Sequence, residues 1–339
     1  MVTTTKTPAL KKAAKSSEAA KSARKKSEMK PPKKKASSSK VTDDILDAGA
    51  ITITEEIIER VVSPRNTLNA LTAKEWITET VSVWRQRGLG RGHPDTAIER
   101  QHPAPFSFTD VARLVRFFTK PGQTVLDPFV GIGSTLKAAA LEGRNGIGIE
   151  LEKEFVKLSK ERLKSELDLG NLEPTSQQVL QGDARKVMAT LEDDSVDLVI
   201  TSPPYWNILH KKDHKAIQER EAKGLKTRYS DAKADLGNIP VYEDFLDELT
   251  GILVQTKRVL KQNKYMAIIV SDFREGKRLR MFHADIASRL ESEGFVLQGI
   301  TILHQAHKRV FPYGYPASYV PNIHHQYIVI LRNDRLKNE

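Results

Sequence analysis

The sequence predicts an α/β fold with a seven-stranded, mostly parallel sheet and helices on both faces. Three observations predict it. From residue 124 onward, short β-branched runs alternate with helical patterns. Gly131 and Gly133 follow the first of those runs directly and precede a helical stretch, the place where a parallel sheet makes its first tight turn. The apolar run 196–201 stops at Pro203 and Pro204, which cannot donate to a β-ladder.

Taken in order, the pattern gives a strand over 124–129, a Gly turn, a helix over 135–141 and a strand over 146–151. A helix over 154–167 ends near Gly170, and a strand over 178–181 leads into a short helix after Asp183. The buried run 196–201 is the fourth strand. A long amphipathic helix covers 242–261, a strand 265–271, a helix 282–293, and two late strands 295–303 and 327–331. No internal repeat and no second core are visible. Upstream, Trp76, Ile77, Val81 and Trp84 stand near helical spacing, so 68–87 reads as a helix packed on the core.

A chain of 339 residues, 39% of them hydrophobic, can build one large core or two small ones, and the continuous alternation selects one domain over 41–339. Cysteine is absent, which excludes disulfides and thiolate metal sites and fits a reducing compartment. No apolar run approaches the roughly 20 residues of a membrane span, and no signal-peptide pattern opens the sequence, so the expectation is a soluble cytoplasmic protein. The net charge of +11 is concentrated: twelve Lys and Arg24 against Glu18 and Glu28 put all of it in residues 1–40, leaving 41–339 neutral overall. That Lys-, Ala- and Ser-rich segment holds no aromatic residue and reads as a disordered tail, either a salt-sensitive arm for phosphates or a solubilising extension.

Candidate chemistry gathers where strands end. The turn Asp127-Pro-Phe129-Val-Gly131-Ile-Gly133 lets the backbone approach a ligand, although an ordinary strand-to-helix turn has the same look. Glu150 closes the second strand 19 residues after Gly131, where a carboxylate can accept from both ribose hydroxyls of a nucleoside. Asp183, ending the third strand, could accept from an adenine amino group. The Asp127 carboxylate could serve the ligand or support the turn. A nicotinamide dinucleotide is disfavoured, because the third glycine of its fingerprint is replaced by Leu136. The fourth strand ends in Ser202-Pro203-Pro204-Tyr205, a rigid turn carrying a hydroxyl, a free carbonyl and a ring, suited to a flat polar group.

On these residues the sequence resembles the amino-methylating DNA methyltransferases over roughly 102–332. His-Pro-Ala-Pro-Phe at 102–106 looks like the family segment lying against the methionine part of its cofactor, 127–133 like its cofactor loop, and Ser202 to Tyr205 like its catalytic motif. The resemblance implies a Rossmann-like S-adenosylmethionine-dependent sheet. It also implies cofactor contacts from His102, Phe106, Asp127, Phe129, Gly131, Gly133, Glu150 and Asp183, with catalysis by Ser202, Pro203, Pro204 and Tyr205. Ser-Pro-Pro-Tyr in that family usually accompanies transfer to N4 of a flipped cytosine, which is the favoured activity, with N6 of adenine as the alternative. The implied partner is double-stranded DNA, which would hold the protein on the nucleoid. A cognate restriction endonuclease acting on the same site is a further partner the resemblance allows. RNA as substrate, and a catalytically silent DNA-binding protein of the same fold, are the other readings.

The chemistry stands on its own terms. An exocyclic amino nitrogen delocalises its lone pair into the ring, and two acceptors gripping its hydrogens, Ser202 Oγ and the Pro203 carbonyl, would return it. Tyr205 would stack on the extruded base, a contact worth about 1–3 kcal/mol. Two further segments read as DNA-contacting insertions. One is 206–240, with Lys211, Lys212, Lys215, Arg220, Lys223, Lys226 and Arg228; the other is 304–325, with Lys308, Arg309, Phe311, Tyr313, Tyr315 and Tyr319. His304, His307, His324 and His325 lack nearby carboxylates, so no metal is expected. The segment 271–274 reads as a wall of the target pocket or as a helix cap.

Overall fold

The computed structural model describes residues 61–86, 93, 95–99, 101, 102, 107–167, 174–206, 218, 221, 222, 224, 227, 229, 230 and 232–334. The 1–40 tail, Phe106 and all seven cations named in 206–240 lie outside the described residues.

Four elements precede the predicted alternation: α1 (Ala73–Glu79), β1 (Val83–Arg85), α2 (Asp95–Glu99) and α3 (Phe108–Phe118). The alternation itself runs β2 (Thr124–Asp127), α4 (Ser134–Leu141), β3 (Asn145–Glu150), α5 (Lys153–Leu167), β4 (Gln177–Gln181), α6 (Ala184–Val187) and β5 (Val196–Thr201). After it come α7 (Tyr242–Val259), β6 (Leu260–Val270), the short ribbon β7 (Phe273–Glu275) and β8 (Arg278–Arg280), α8 (Phe282–Ser292), β9 (Val296–His304) and β10 (His325–Arg332).

All seven predicted strands are present, and the main sheet has an eighth. Its order is β1-β9-β10-β6-β5-β2-β3-β4, parallel except for β10, which is antiparallel to both neighbours. The extra edge strand, β1, pairs with β9 through Val83 and Ile302 and corrects the helical reading of 68–87. Thr72 and Glu75 form a capping box that starts α1, but the helix stops at Glu79 and the β-branched Val81 and Val83 begin an extended stretch. Spacing misled because Trp76 and Trp84, eight residues apart, both pack on the same core cluster from different elements.

The central strands are buried on both faces, which is why β5 reads as an unbroken apolar run. Val199 faces a core built with α7 and α8, whereas Leu198 and Ile200 face one built with α3 and α4. Helix α7 presents Phe245, Leu246, Leu249, Ile252 and Leu253 at helical spacing, each buried. From β2 the chain winds outward to β3 and β4, then crosses back to β5 on the other side. Such a reversal opens a crevice at the carboxyl ends of β2 and β5, where open α/β sheets bind ligands. Among the described residues, no helix is long and apolar enough to cross a membrane.

Candidate active site

The crevice is held open by a buried carboxylate. Asp127, fully buried at the end of β2, accepts from Phe129 N at 3.0 Å and Thr201 Oγ1 at 2.7 Å through one oxygen, and from Thr135 Oγ1 at 2.5 Å through the other. It thereby ties the turn, the first residues of α4 and the end of β5 together. Burial pushes its carboxyl up to about 6 against the pull of those hydrogen bonds. Asp127 does not line the cavity, so of its two sequence readings, supporting the turn is the one its contacts match.

The glycines are required by space as well as by conformation. Gly131 has φ +54°, and a Cβ there would come within 3.2 Å of His102 Nε2. Gly133, at φ +82°, caps α4, and a Cβ there would collide with the Ser159 hydroxyl. Gly133 therefore packs backbone on helix α5, while Gly131 faces the cavity. Glu150 Oε2 accepts from Gly131 N at 2.9 Å and Oε1 from Glu152 N at 2.8 Å, leaving each oxygen further acceptor capacity. Burial raises its carboxyl to about 7. Asp183 caps α6 through Arg185 N and also receives the Arg185 guanidinium. Burial opposes its charge, yet the Arg185 hydrogen bonds hold it below the usual carboxylate range. Arg185 continues to the Ala234 carbonyl at 3.2 Å and to Glu248 on α7.

The Gly131 turn and the ends of β3 and β4 share one cavity with the end of β5. His102, Phe129, Gly131, Glu150 and Asp183 line it, and so do Ser202, Pro203 and Pro204. Glu150, Glu152, Asp183 and Asp235 border the cavity, which favours a ligand carrying positive charge. Among the described residues no group of metal-ligating side chains is assembled. Tyr205 stands just outside. Its hydroxyl accepts from Gln326 Nε2 at 3.4 Å, and its ring lies 6.2 Å from that of Phe282. Trp206, buried behind it, donates from Nε1 to the Ile239 carbonyl at 2.8 Å.

A family profile of DNA methylases matches residues 6–161, a span that takes in the Gly131 turn and Glu150 and ends before Ser202. The type II methyltransferase M.MjaI of Methanocaldococcus jannaschii is 36% identical over 124 residues, 35% of this chain and 39% of that protein. M.BglI of Bacillus subtilis, also a type II methyltransferase, is 36% identical over 97 residues, 29% of this chain and 26% of that one. Over these segments the chain is similar to the amino-methylating DNA methyltransferases. Its matched segments span about a quarter to two fifths of those two relatives' lengths. Among solved structures, a SAM-dependent methyltransferase from Aquifex aeolicus is 19% identical over 70% of this chain and 93% of that chain, with a TM-score of 0.36.

Around this cavity, one wall was not foreseen from the sequence. Tyr229, Ser230, Asp235 and Leu236 line the cavity, although 206–240 reads as an outward, DNA-contacting insertion. Asp235 shapes them, accepting from Ser230 N and Gly237 N at 2.9 Å each. The Tyr229 ring lies 5.6 Å from the His102 ring. The one available signal was Asp235-Leu236-Gly237, an apolar residue between turn formers in a charged stretch. Asp272, by contrast, fits its second sequence reading: it accepts from His283 N at 3.3 Å in the first turn of α8 and pairs with His283 Nδ1 at 2.7 Å.

Proposed function

We propose that this chain transfers a methyl group from S-adenosylmethionine to the exocyclic amino group of a base extruded from DNA, N4 of cytosine being the favoured target. The observation that carries the reading is the sharing of one cavity by the Gly131 turn, Glu150 and Ser202. S-adenosylmethionine supplies an electrophilic methyl group on a positively charged sulfonium.

The residues present fit that group. The remaining acceptor capacity of Glu150 suits two ribose hydroxyls, the acidic border suits a cation, and Gly131 allows close backbone approach beneath His102. Asp183 would accept from the adenine amino group only through the lone pairs Arg185 leaves, so Arg185 becomes part of that subsite. Phe106 belongs to the proposal through the family resemblance alone.

Ser202 Oγ and the Pro203 carbonyl would grip the two amino hydrogens of the target and return its lone pair to nitrogen. The nitrogen gives up its proton after methylation, so no strong base is needed beside it. Holding donor and acceptor in line can supply roughly 7–11 kcal/mol of barrier reduction. Serine at 202 supports cytosine over adenine through the family association. The named type II relatives make a restriction endonuclease sharing the target site, and a cytoplasmic chain held on the nucleoid by its substrate, part of the same proposal.

The test is to incubate the purified protein with S-adenosylmethionine and genomic DNA, digest to nucleosides and identify the product by mass spectrometry. N4-methyl-2′-deoxycytidine is the expected product. N6-methyl-2′-deoxyadenosine alone would overturn the choice of base, and an absence of any methylated deoxynucleoside beyond those in untreated DNA would overturn the activity.

A further inference from the structure

The segment between β9 and β10 is the most exposed aromatic surface among the described residues. Val310, Phe311, Tyr313, Tyr315 and Tyr319 are 67%, 49%, 50%, 83% and 89% exposed. Large apolar rings held in water in this density mark a surface that another molecule covers.

The loop that carries them is built. Asn322 clasps Phe311 from both sides, accepting from its N–H at 2.8 Å and donating to its carbonyl at 2.7 Å. Gly314, at φ +78°, turns the chain, and its carbonyl accepts from Ala317 N at 2.8 Å and Ser318 N at 2.7 Å. The Phe311 and Tyr313 rings lie 5.6 Å apart. Tyr315 and Tyr319 are thus presented on a folded crest.

Topology places that crest at the catalytic edge. β9 is antiparallel to β10, β10 is antiparallel to β6, and β6 is parallel to β5, so β9 ends and β10 begins on the edge where β5 delivers Ser202. Gln326, two residues after the loop, reaches the Tyr205 hydroxyl at 3.4 Å. Charge decides the kind of partner. Residues 305–325 contain Lys308 and Arg309 and no Asp or Glu, so cations stand beside stacking rings and nothing repels a polyanion.

We propose that this crest, with Tyr315 and Tyr319 at its tip, enters the DNA duplex beside the target base and stacks in the space that base vacates. The inference rests on the proposed DNA-methylating activity and adds to it the surface that opens the helix. Extruding a base strips its neighbours of stacking, and a ring inserted in its place restores part of what is lost.

The experiment uses a short duplex carrying the site mapped on DNA that the wild-type chain has methylated, and a second duplex with the target base opposite an abasic position. Tyr315→Ala/Tyr319→Ala is compared with Tyr315→Phe/Tyr319→Phe in single-turnover methylation. The alanine variant is expected to lose about tenfold or more on the paired duplex. It should recover most of that loss on the unpaired one, with S-adenosylmethionine affinity unchanged, while the phenylalanine variant stays near wild type. Equal loss on both duplexes, no loss on either, or conversion of a wild-type dimer to monomers by the alanine variant would each overturn the inference while the activity stands. A wild-type chain that methylates neither duplex would overturn the functional proposal, and this inference with it.

Discussion

The two sides of the crevice are built on opposite plans. On the β2–β3 side the groups that shape the turn are bonded within the protein: Asp127 takes three hydrogen bonds, the Gly131 N–H donates to Glu150, and Gly133 packs on Ser159. Behind the turn, Arg162 and Lys137 converge on Asp95 at 3.0 and 2.5 Å. On the β5–β10 side Tyr205 packs its ring on the core and offers its hydroxyl to Gln326 at 3.4 Å, and the crest beyond it stands in water. A side that must grip one small ligand the same way each time is preorganised. A side that meets a large, deformable ligand leaves its contacts for that ligand to complete.

The comparison breaks most easily at Asp95. Burial works against its charge, yet Lys137 and Arg162 hold its carboxyl below the usual carboxylate range. Arg162 is itself fully buried, on α5. Through α2, whose Glu99 carbonyl accepts from His102 N at 3.2 Å, the same cluster sets His102 over Gly131. Asp95→Ala removes the carboxylate that two buried cations share and is expected to cost about 3–5 kcal/mol of stability, read by urea unfolding. S-adenosylmethionine affinity should fall as well; an unchanged unfolding midpoint would show the cluster to be idle.

Next in size is Ser202→Ala, which should slow methyl transfer by about 10²–10³ in single turnover while leaving cofactor affinity near wild type. A wild-type rate in that variant would remove the hydroxyl from the mechanism. Smallest is the pH response of Glu150. Its carboxyl is raised from 4.5 to about 7 in the folded protein, so its contribution is fully present below pH 4.5 and is lost as pH rises through 7. Within that window the stability of the wild type should fall relative to Glu150→Gln by about 1.4 kcal/mol per pH unit, measured by denaturant titration without cofactor. Parallel curves for the two proteins would place the titration elsewhere.

How much of this was legible in the sequence follows the same division. The preorganised side depends on neighbours along the chain, glycines next to a strand and a carboxylate at the next strand's end, so the places of Gly131 and Glu150 on the cavity could be read by spacing. What escaped was set by distant partners. Asp127 turns inward because Thr201, 74 residues on, offers it a hydroxyl. Tyr229 and Leu236 line the cavity because Asp235 folds their loop back on itself, and no periodicity announces that. β1 was taken for helix because an edge strand of three residues buries one side chain, Trp84, too few to show a period of two.

The position of β10 has a consequence for how the sheet is assembled. It follows the other strands of the sheet in the sequence, yet it sits between β6 and β9. Without residues 325–332 the sheet would fall into two pieces, β4-β3-β2-β5-β6 and β9-β1, each with a bare edge open to other strands. Gln326, whose amide reaches the Tyr205 hydroxyl, belongs to that same strand, so this contact forms only as the sheet closes.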